Sequence, residues 1–240
     1  GAHGDKVPQE YFRGQPLDMS QFENSYAAGR VAVSPRYDLL VQKPHSDYCL
    51  VSYDGYLYRV STENETGKAT WPGLMHTLEA IRDDVESRTD TPPRVGTLTA
   101  LPRSQWYQER QRLLAHEQNR KTVEAVEGAL FFVAIDSREK VEGAFRWRWI
   151  RDHNVGNRWF DFGYQLIALP DGTVGYNVDH VAADGAAAAG QIRHWLNRAD
   201  EIAANTPANA DVLRFDALAW SGGDRLKARI DAAEEQLTAE

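Results

Sequence analysis

An uninterrupted apolar run at residues 129–135 is typical of a strand that is buried in a sheet. Before it, residues 48–60 place an Asp-Gly turn pair at residues 54–55 between two strand-like halves, which predicts a β-hairpin. After it, residues 164–180 repeat this arrangement around a Pro-Asp-Gly turn at residues 170–172. The chain therefore contains several strands that must pair in a sheet.

Helical patterns lie between these strands, because apolar residues recur about every three or four positions, as on one face of an amphipathic helix. The predicted helices cover residues 16–29, a segment from Pro72 with Leu74, Leu78, Ile81 and Val85 on one face, a segment from Ser104, residues 122–128, and residues 184–202 with Ile192, Trp195, Leu196, Ala199 and Ile202 on the apolar face. Helices and strands mix along the whole chain, which indicates an α/β or α+β fold. No segment resembles an interdomain linker, so residues 5–240 are predicted to form a single domain.

The two ends of the sequence are unusual. Residues 1–4 (Gly-Ala-His-Gly) lack an initiator Met and are expected to be an expression-tag remnant. Near the other end, Asp224 can cap a helix that carries Leu226, Ile230, Ala233 and Leu237 on one stripe. This helix either docks on its own domain or precedes a domain boundary at which the chain was cut.

Composition and missing motifs exclude several classes of protein. The net charge of −8 argues against a general nucleic-acid or anionic-membrane surface, since both need basic patches. No apolar run approaches the roughly 20 residues of a membrane span. The single cysteine, Cys49, excludes an intrachain disulfide and any multi-cysteine metal site, and it is interpreted as a small buried hydrophobe. We therefore expect a soluble, cytoplasmic protein.

Common nucleotide, hydrolase and zinc motifs are absent as well. The sequence has no phosphate-binding loop, no Gly-x-Gly-x-x-Gly after a strand, no Gly-x-Ser-x-Gly elbow and no His-Glu-x-x-His pair. No metal site is expected.

One segment carries usable chemistry, with Asp179-His180 followed by Asp184-Gly185. Strand alternation puts His180 on the face of Val178, so His180 is expected in an apolar, partly buried place at the strand end. Burial disfavours the imidazolium, and so does the positive end of the helix that starts near Asp184. The Asp184 carboxylate can orient the imidazole and offset the charge that it gains with a proton. The segment suits a general base, although a structural histidine beside a helix-capping aspartate gives the same pattern.

Several ordered segments carry longer motifs. They are Pro-Leu-Asp-Met-Ser-Gln-Phe at residues 16–22, Leu-Thr-Ala-Leu-Pro-Arg-Ser-Gln-Trp at 98–106, the stretch 119–136, Asn-Arg-Trp-Phe-Asp at 157–161, Tyr-Gln-Leu-Ile at 164–167, Asp-Gly at 171–172, Asp-His at 179–180, Asp-Gly at 184–185, and Leu-Arg-Phe at 213–215 with the last helix. In this order they resemble the motifs of the choline/carnitine acyltransferase family, from Pro16 to about Leu237.

The resemblance implies a fold and a reaction. The family has two related α/β domains similar to chloramphenicol acetyltransferase, so this chain is expected to form one such domain, a mixed β-sheet flanked by helices. The implied reaction moves an acyl group between a thioester, of coenzyme A or a carrier protein, and a small-molecule alcohol. His180 matches the catalytic base and Asp184 the acid that supports it. Because the alkoxide attacks the thioester directly in this reaction, no covalent acyl-enzyme is expected. No covalently bound cofactor is expected either.

The sequence also departs from the family. Phe162 stands where Lys or Ala is usual, and the segment between Ile135 and Asn157 is shorter. The family's second domain, with its Ser-Thr-Ser motif and most coenzyme A contacts, has no counterpart here, so the residues that bind coenzyme A stay unassigned. The chain resembles the base-bearing half of an acyltransferase that needs a second domain or a partner chain. It would be a fragment, a split subunit, or a non-catalytic relative that serves as a binding or scaffolding domain.

Residues around the catalytic pair have two interpretations. Arg158, Trp159 and Asp161 would either contact substrate or lock the loop before the strand. We expect the second role, in which they support the catalytic loop together with Asp179 and Gly185. The alternating Trp147 and Trp149 are expected to be core aromatics.

Overall fold

The computed structural model describes residues 9, 11–16, 18–20, 27–43, 45–64, 67–68, 71–137, 150, 153–183, 185–204 and 211–239. Its strands are β1 (Tyr11–Phe12), β2 (Gln15–Pro16), β3 (Ala28–Ala32), β4 (Asp38–Gln42), β5 (Tyr48–Tyr53), β6 (Tyr56–Ser61), β7 (Glu63–Asn64), β8 (Gly67–Lys68), β9 (Phe132–Ile135), β10 (Tyr164–Ala168), β11 (Val174–Val178) and β12 (Phe215–Ala217). Its helices with described bounds are α1 (Trp71–Ser87), α2 (Arg103–Leu114), α3 (Glu117–Glu127), α4 (Gly185–Ala204) and α5 (Gly223–Ala239), with short 3-10 helices at Val95–Ala100 and Val155–Asn157.

Six strands form one mixed sheet in the order β11-β10-β9-β5-β6-β12. Strand β9 runs parallel to β5 and β10, whereas the other neighbouring pairs are antiparallel. In the turn between β5 and β6, Asp54 and Gly55 have φ angles of 48° and 92°. Both angles are positive, as a type I′ hairpin turn requires. The hairpins predicted at residues 48–60 and 164–180 are confirmed, although the second ends at Val178.

Helices cover both faces of the sheet. Successive side chains of a strand point to opposite faces, and those of the central strands pack in different cores. On one face, Leu50, Phe132 and Ile167 are no more than 1 % exposed and belong to the core formed with α2, α3 and α5. On the other face, Val51 packs in the core that includes α1, and Tyr164 packs on α4. This is the expected α/β arrangement of a mixed β-sheet flanked by helices.

The last helix, α5, docks on this domain. Leu226, Ile230 and Ala233 are 3–4 % exposed and belong to the same core as Trp106 of α2. The predicted apolar stripe is confirmed at these three positions, while Leu237 is half-buried. The helix therefore packs on its own domain, which leaves the prediction of a domain boundary after it untested.

Two of the helix predictions differ from the structure, one in its position and one in its apolar face. The helix predicted at residues 16–29 is wrong at both ends, since Pro16 lies in β2 and Gly29 in β3; Leu17 and residues 21–26 lie outside the described residues. Strand pairing overrides the helical spacing here, because β3 pairs with β4 along its whole length. In α4, Ile192 and Trp195 are half-buried as part of the predicted face, whereas Leu196 is 68 % exposed and Ala199 is exposed. Ala187 and Ala188 are the buried residues of this helix's core contact.

Candidate functional site

The turn after β11 carries His180. Strand β11 ends at Val178, and the chain folds back through Asp179 before α4 begins. The carbonyl of Asp179 accepts a hydrogen bond from the Ala182 amide at 2.9 Å. Its side-chain Oδ1 accepts a second bond from the Val181 amide, also at 2.9 Å. Asp179 therefore organises the turn through both its main chain and its carboxylate.

His180 has an exposed side chain in this turn. The expectation of an apolar, partly buried position is wrong, because the strand alternation behind it stops at Val178. Asp184 lies outside the described residues. Gly185 starts α4 and is exposed; a Cβ there would meet no described atom within 4 Å, so steric contact does not require glycine at this position.

Two arginines and three aspartates form a charged group next to this turn, here called the arginine–aspartate cluster: Arg30, Asp38, Arg103, Asp161 and Asp179. Nη2 of Arg30 lies 2.8 Å from Oδ2 of Asp179. Its Nε lies 3.6 Å from Oδ2 of Asp38 and 3.7 Å from Oδ1 of Asp161. Arg103 donates from Nε to Asp38 at 2.8 Å and from Nη1 to Asp161 at 2.5 Å. The cluster thus joins β3, β4 and α2 to the loop before β10 and to the His180 turn.

Asp161 is the most enclosed carboxylate of the cluster, with a side chain 3 % exposed. Its Oδ2 accepts a hydrogen bond from the Trp106 indole at 2.6 Å, and its carbonyl accepts one from the Arg30 amide at 2.7 Å. Burial raises the pKa of Asp161, while Arg103 and Trp106 act against that rise. This geometry favours the interpretation in which Asp161 locks the loop rather than binds substrate.

Arg158 belongs to a second buried network, at the carboxyl end of β9. Its Nη1 and Nη2 lie 3.0 Å and 2.7 Å from Oδ1 and Oδ2 of Asp136, and neither side chain is more than 1 % exposed. Asn157 and Asn154 donate to Oδ1 of Asp136 at 2.6 Å and 2.7 Å. Paired and hydrogen-bonded in this way, the buried charges hold the Val155–Asn157 turn against the sheet.

Trp159 packs in the core. It is 3 % exposed, meets the Trp106 ring edge-on at a centroid distance of 5.7 Å and stacks with Trp220 at 6.3 Å. Its amide donates to Oε1 of Gln165 at 2.7 Å. Trp147 and Trp149 lie outside the described residues.

Cys49 is buried as predicted. Its side chain sits in β5 in the core that includes α1, and burial raises the pKa of its thiol to about 12.

The sequence motifs do not identify three members of the arginine–aspartate cluster as site residues, namely Arg30, Asp38 and Arg103. Arg103 falls in one of the recognised motifs, at residues 98–106, which is the signal that could have singled it out. Arg30 and Asp38 lie on the β3–β4 hairpin, far in the sequence from Arg103, Asp161 and Asp179. No local spacing pairs such distant charges.

A cavity of about 490 Å³ lies between β6, β12 and α5, with Tyr56, Trp220 and Glu234 among its walls. A smaller one of about 20 Å³ lies beside Arg30 and Asp161. His180 lines neither of these two cavities. Within the described ranges, no group of three or more His, Cys, Asp and Glu side chains could hold a metal ion. In the same part of the chain, no helix combines the length and the hydropathy needed to cross a membrane.

Comparison with known proteins gives a consistent result. Residues 3–240 match the family model described as choline/carnitine O-acyltransferase. The chain is 26 % identical to mitochondrial carnitine O-palmitoyltransferase 2 of Mus musculus, over 93 % of this chain and 34 % of that protein. It is 26 % identical to choline O-acetyltransferase of Danio rerio, over 76 % of this chain and 31 % of that protein. It is 27 % identical to carnitine O-acetyltransferase of Mus musculus, over 75 % of this chain and 31 % of that protein.

The chain spans about a third of the length of these curated relatives. The family match nevertheless covers nearly the whole chain, and the mixed six-stranded sheet is the fold expected of such a domain. The chain belongs to the choline/carnitine O-acyltransferase family.

Proposed function

We propose that this chain is the base-bearing part of an O-acyltransferase, with His180 as the general base. The observation that carries the proposal is the turn after β11, which holds His180 exposed while both the carbonyl and the carboxylate of its neighbour Asp179 are hydrogen-bonded. An exposed imidazole on an ordered turn can reach a substrate. Imidazole can also accept and return a proton near neutral pH.

The proposed reaction needs only one proton carrier. His180 removes the proton from the hydroxyl of the acceptor alcohol as its oxygen attacks the thioester carbonyl. The tetrahedral intermediate then collapses, the carbon–sulfur bond breaks, and His180 returns the proton to the departing thiolate. The acyl group passes directly to the alcohol, so no covalent acyl-enzyme forms. Such general-base help supplies about 10²–10⁴-fold in rate, and positioning and oxyanion stabilisation supply the rest.

Asp184 is proposed to support the base. It follows His180 by four residues in the sequence and immediately precedes Gly185, the first residue of α4. A carboxylate there would orient the imidazole and offset the charge of the protonated form. Arg158, Trp159, Asp161 and Asp179 are proposed to support the loop, since each has its partners inside the protein.

The substrates follow from the family and the names of the relatives. The donor is proposed to be an acyl-coenzyme A, or a carrier-protein thioester, and the acceptor a small-molecule alcohol such as carnitine or choline. Most of the thioester site is proposed to come from a second acyltransferase domain or a partner chain. Two observations support this division: the chain spans about a third of its relatives, and His180 lines neither cavity described above.

A non-catalytic binding or scaffolding domain is the alternative. The same two observations favour it, because a domain with an incomplete thioester site can keep the fold without the reaction. The alternatives differ in whether thiol is released.

The test uses the full-length product of the native gene. It is incubated with acetyl-, octanoyl- or palmitoyl-coenzyme A, or with carrier protein that bears an acyl thioester, and with carnitine, choline or no acceptor. Free thiol is followed with a chromogenic disulfide. Acceptor-dependent thiol release supports the transferase. Binding of acyl-coenzyme A by calorimetry without any release, across all donors and acceptors, supports the binding domain instead.

A further inference from the structure

Arg30 faces three carboxylates that come from three separate parts of the fold. Asp38 lies on β4, Asp161 in the loop before β10, and Asp179 in the His180 turn. The contact with Asp179, at 2.8 Å, is the shortest of the three by 0.8 Å or more. The Asp179 side chain is 11 % exposed and that of Arg30 is 21 % exposed, so the pair is shielded from most solvent screening.

The two oxygens of Asp179 have different partners. Oδ1 accepts the Val181 amide, which forms the turn, and Oδ2 lies against Arg30, which ties the turn to β3. Arg103 neutralises the other two carboxylates, Asp38 and Asp161. Arg30 is therefore the arginine of the cluster that contacts the residue next to His180.

We propose that Arg30 is a positioning residue. It neutralises Asp179 and thereby prevents this carboxylate from stabilising the protonated form of His180. The inference rests on the proposed role of His180 as a base. Among the described residues, Arg30 is the cation that forms an ion pair with Asp179, so without it the 11 %-exposed carboxylate would lose that counter-ion. His180 is the next residue in the chain, and an uncompensated negative charge close to an imidazole favours its protonated form. A base trapped in that form cannot accept a proton from the alcohol.

The test is an NMR titration of the His180 ring in the chain, comparing wild type with Arg30→Gln and Arg103→Gln. Each variant removes one positive charge from the same cluster, but only Arg30 contacts Asp179. For Arg30→Gln we expect the midpoint of His180 to rise by about half a pH unit, or threefold in proton affinity. The Val181 amide should also exchange faster. Arg103→Gln should move the midpoint by less than a third of that amount.

A double variant distinguishes an electrostatic effect from a loss of stability that the removal of the Arg30 charge could cause. Asp179→Asn removes the charge and retains an oxygen that can accept the Val181 amide. Adding it to Arg30→Gln should return the midpoint of His180 to the wild-type value. The proposal is overturned if the midpoint does not move in Arg30→Gln, if Arg103→Gln shifts it equally, or if the double variant fails to restore it.

Activity measurements distinguish a failure of this inference from a failure of the proposed function. In an active transferase, Arg30→Gln should shift the acidic limb of the kcat/KM profile upward in pH and leave KM for acyl-coenzyme A unchanged. If His180→Ala retains activity, the proposed function fails. If His180→Ala is inactive but the midpoint in Arg30→Gln is unshifted, only the positioning role of Arg30 fails.

Discussion

Nη2 of Arg30 and Oδ2 of Asp179 lie 2.8 Å apart, which fastens the His180 turn to a hairpin formed near the start of the chain. Asp179 is hydrogen-bonded within the turn, and Arg30 is held by the β3–β4 pairing. An exposed histidine is thus carried on a turn with two anchors. Such an arrangement combines access to solvent with a fixed backbone, and both are needed in a group that must meet a substrate in one geometry.

The buried pair of Arg158 and Asp136 predicts a large loss of stability when one partner is neutralised. Asp136→Asn would leave a guanidinium with 0 % exposure without its counter-ion. We expect the free energy of unfolding, measured by urea denaturation, to fall by about 3–5 kcal/mol.

The control for this prediction is the exposed pair of Lys227 and Asp231, whose side chains are 70 % and 49 % exposed. Asp231→Asn removes the same kind of charge and should change the free energy of unfolding far less, because solvent screens this pair. Equal effects of the two substitutions would contradict a stabilising role for the buried network.

Glycine is required at position 96 because the backbone of Arg158 passes very close to it. A Cβ at this position would lie 2.0 Å from the carbonyl oxygen of Arg158, and a backbone atom cannot move aside cheaply. Gly96→Ala should therefore lower the free energy of unfolding by about 3 kcal/mol. Gly185→Ala is the matched substitution, at a position where a Cβ meets no described atom within 4 Å. Thermal unfolding should show no loss for Gly185→Ala, and a loss as large as that of Gly96→Ala would refute the assignment.

Burial of Cys49 predicts a dependence of stability on pH. The folded thiol has a pKa of about 12, against an ordinary value of 9.0, so the unfolded chain loses its proton first as the pH rises. The stabilising contribution of the neutral thiol is complete below pH 9 and is lost progressively toward pH 12. At pH 10 the loss amounts to about 1.4 kcal/mol.

Cys49→Ala isolates this effect, because the tyrosines that also titrate at high pH are present in both proteins. The stability advantage of wild type over Cys49→Ala should shrink by about 1.4 kcal/mol between pH 7 and pH 10, under reducing conditions. An advantage that is the same at both pH values would show that the thiol ionises as readily in the folded protein as in the unfolded chain.

Local signals were sufficient for much of the fold. The Asp54-Gly55 pair predicts the β5–β6 hairpin because its residues accept the positive φ angles that the turn needs. The spacing from Leu74 to Val85 predicts α1, with Pro72 in the first turn, where its missing amide costs nothing. Each of these two patterns lies within a stretch of about a dozen residues of the sequence.

Non-local contacts explain what the sequence did not reveal. The apolar spacing predicts a helix up to Gly29, because the β-pairing of Gly29 with Val41 has no local signal in the sequence. Strand alternation predicts a partly buried His180, but alternation cannot show where a strand ends, and Asp179 ends β11 by turning the chain. The partners of Asp179 and Asp161 were missed for the same reason, since Arg30 and Arg103 approach them only in the folded protein.

The most direct test of the account is the rate of acceptor-dependent thiol release by His180→Ala in the full-length gene product. His194→Ala, an exposed histidine on α4, is the matched control. Because both side chains are exposed, neither substitution should change the free energy of unfolding by more than about 0.5 kcal/mol. We predict that His180→Ala lowers kcat/KM by about 10²–10⁴-fold while His194→Ala leaves it unchanged. A His180→Ala protein that keeps most of the wild-type activity would contradict the assignment of His180 as the base.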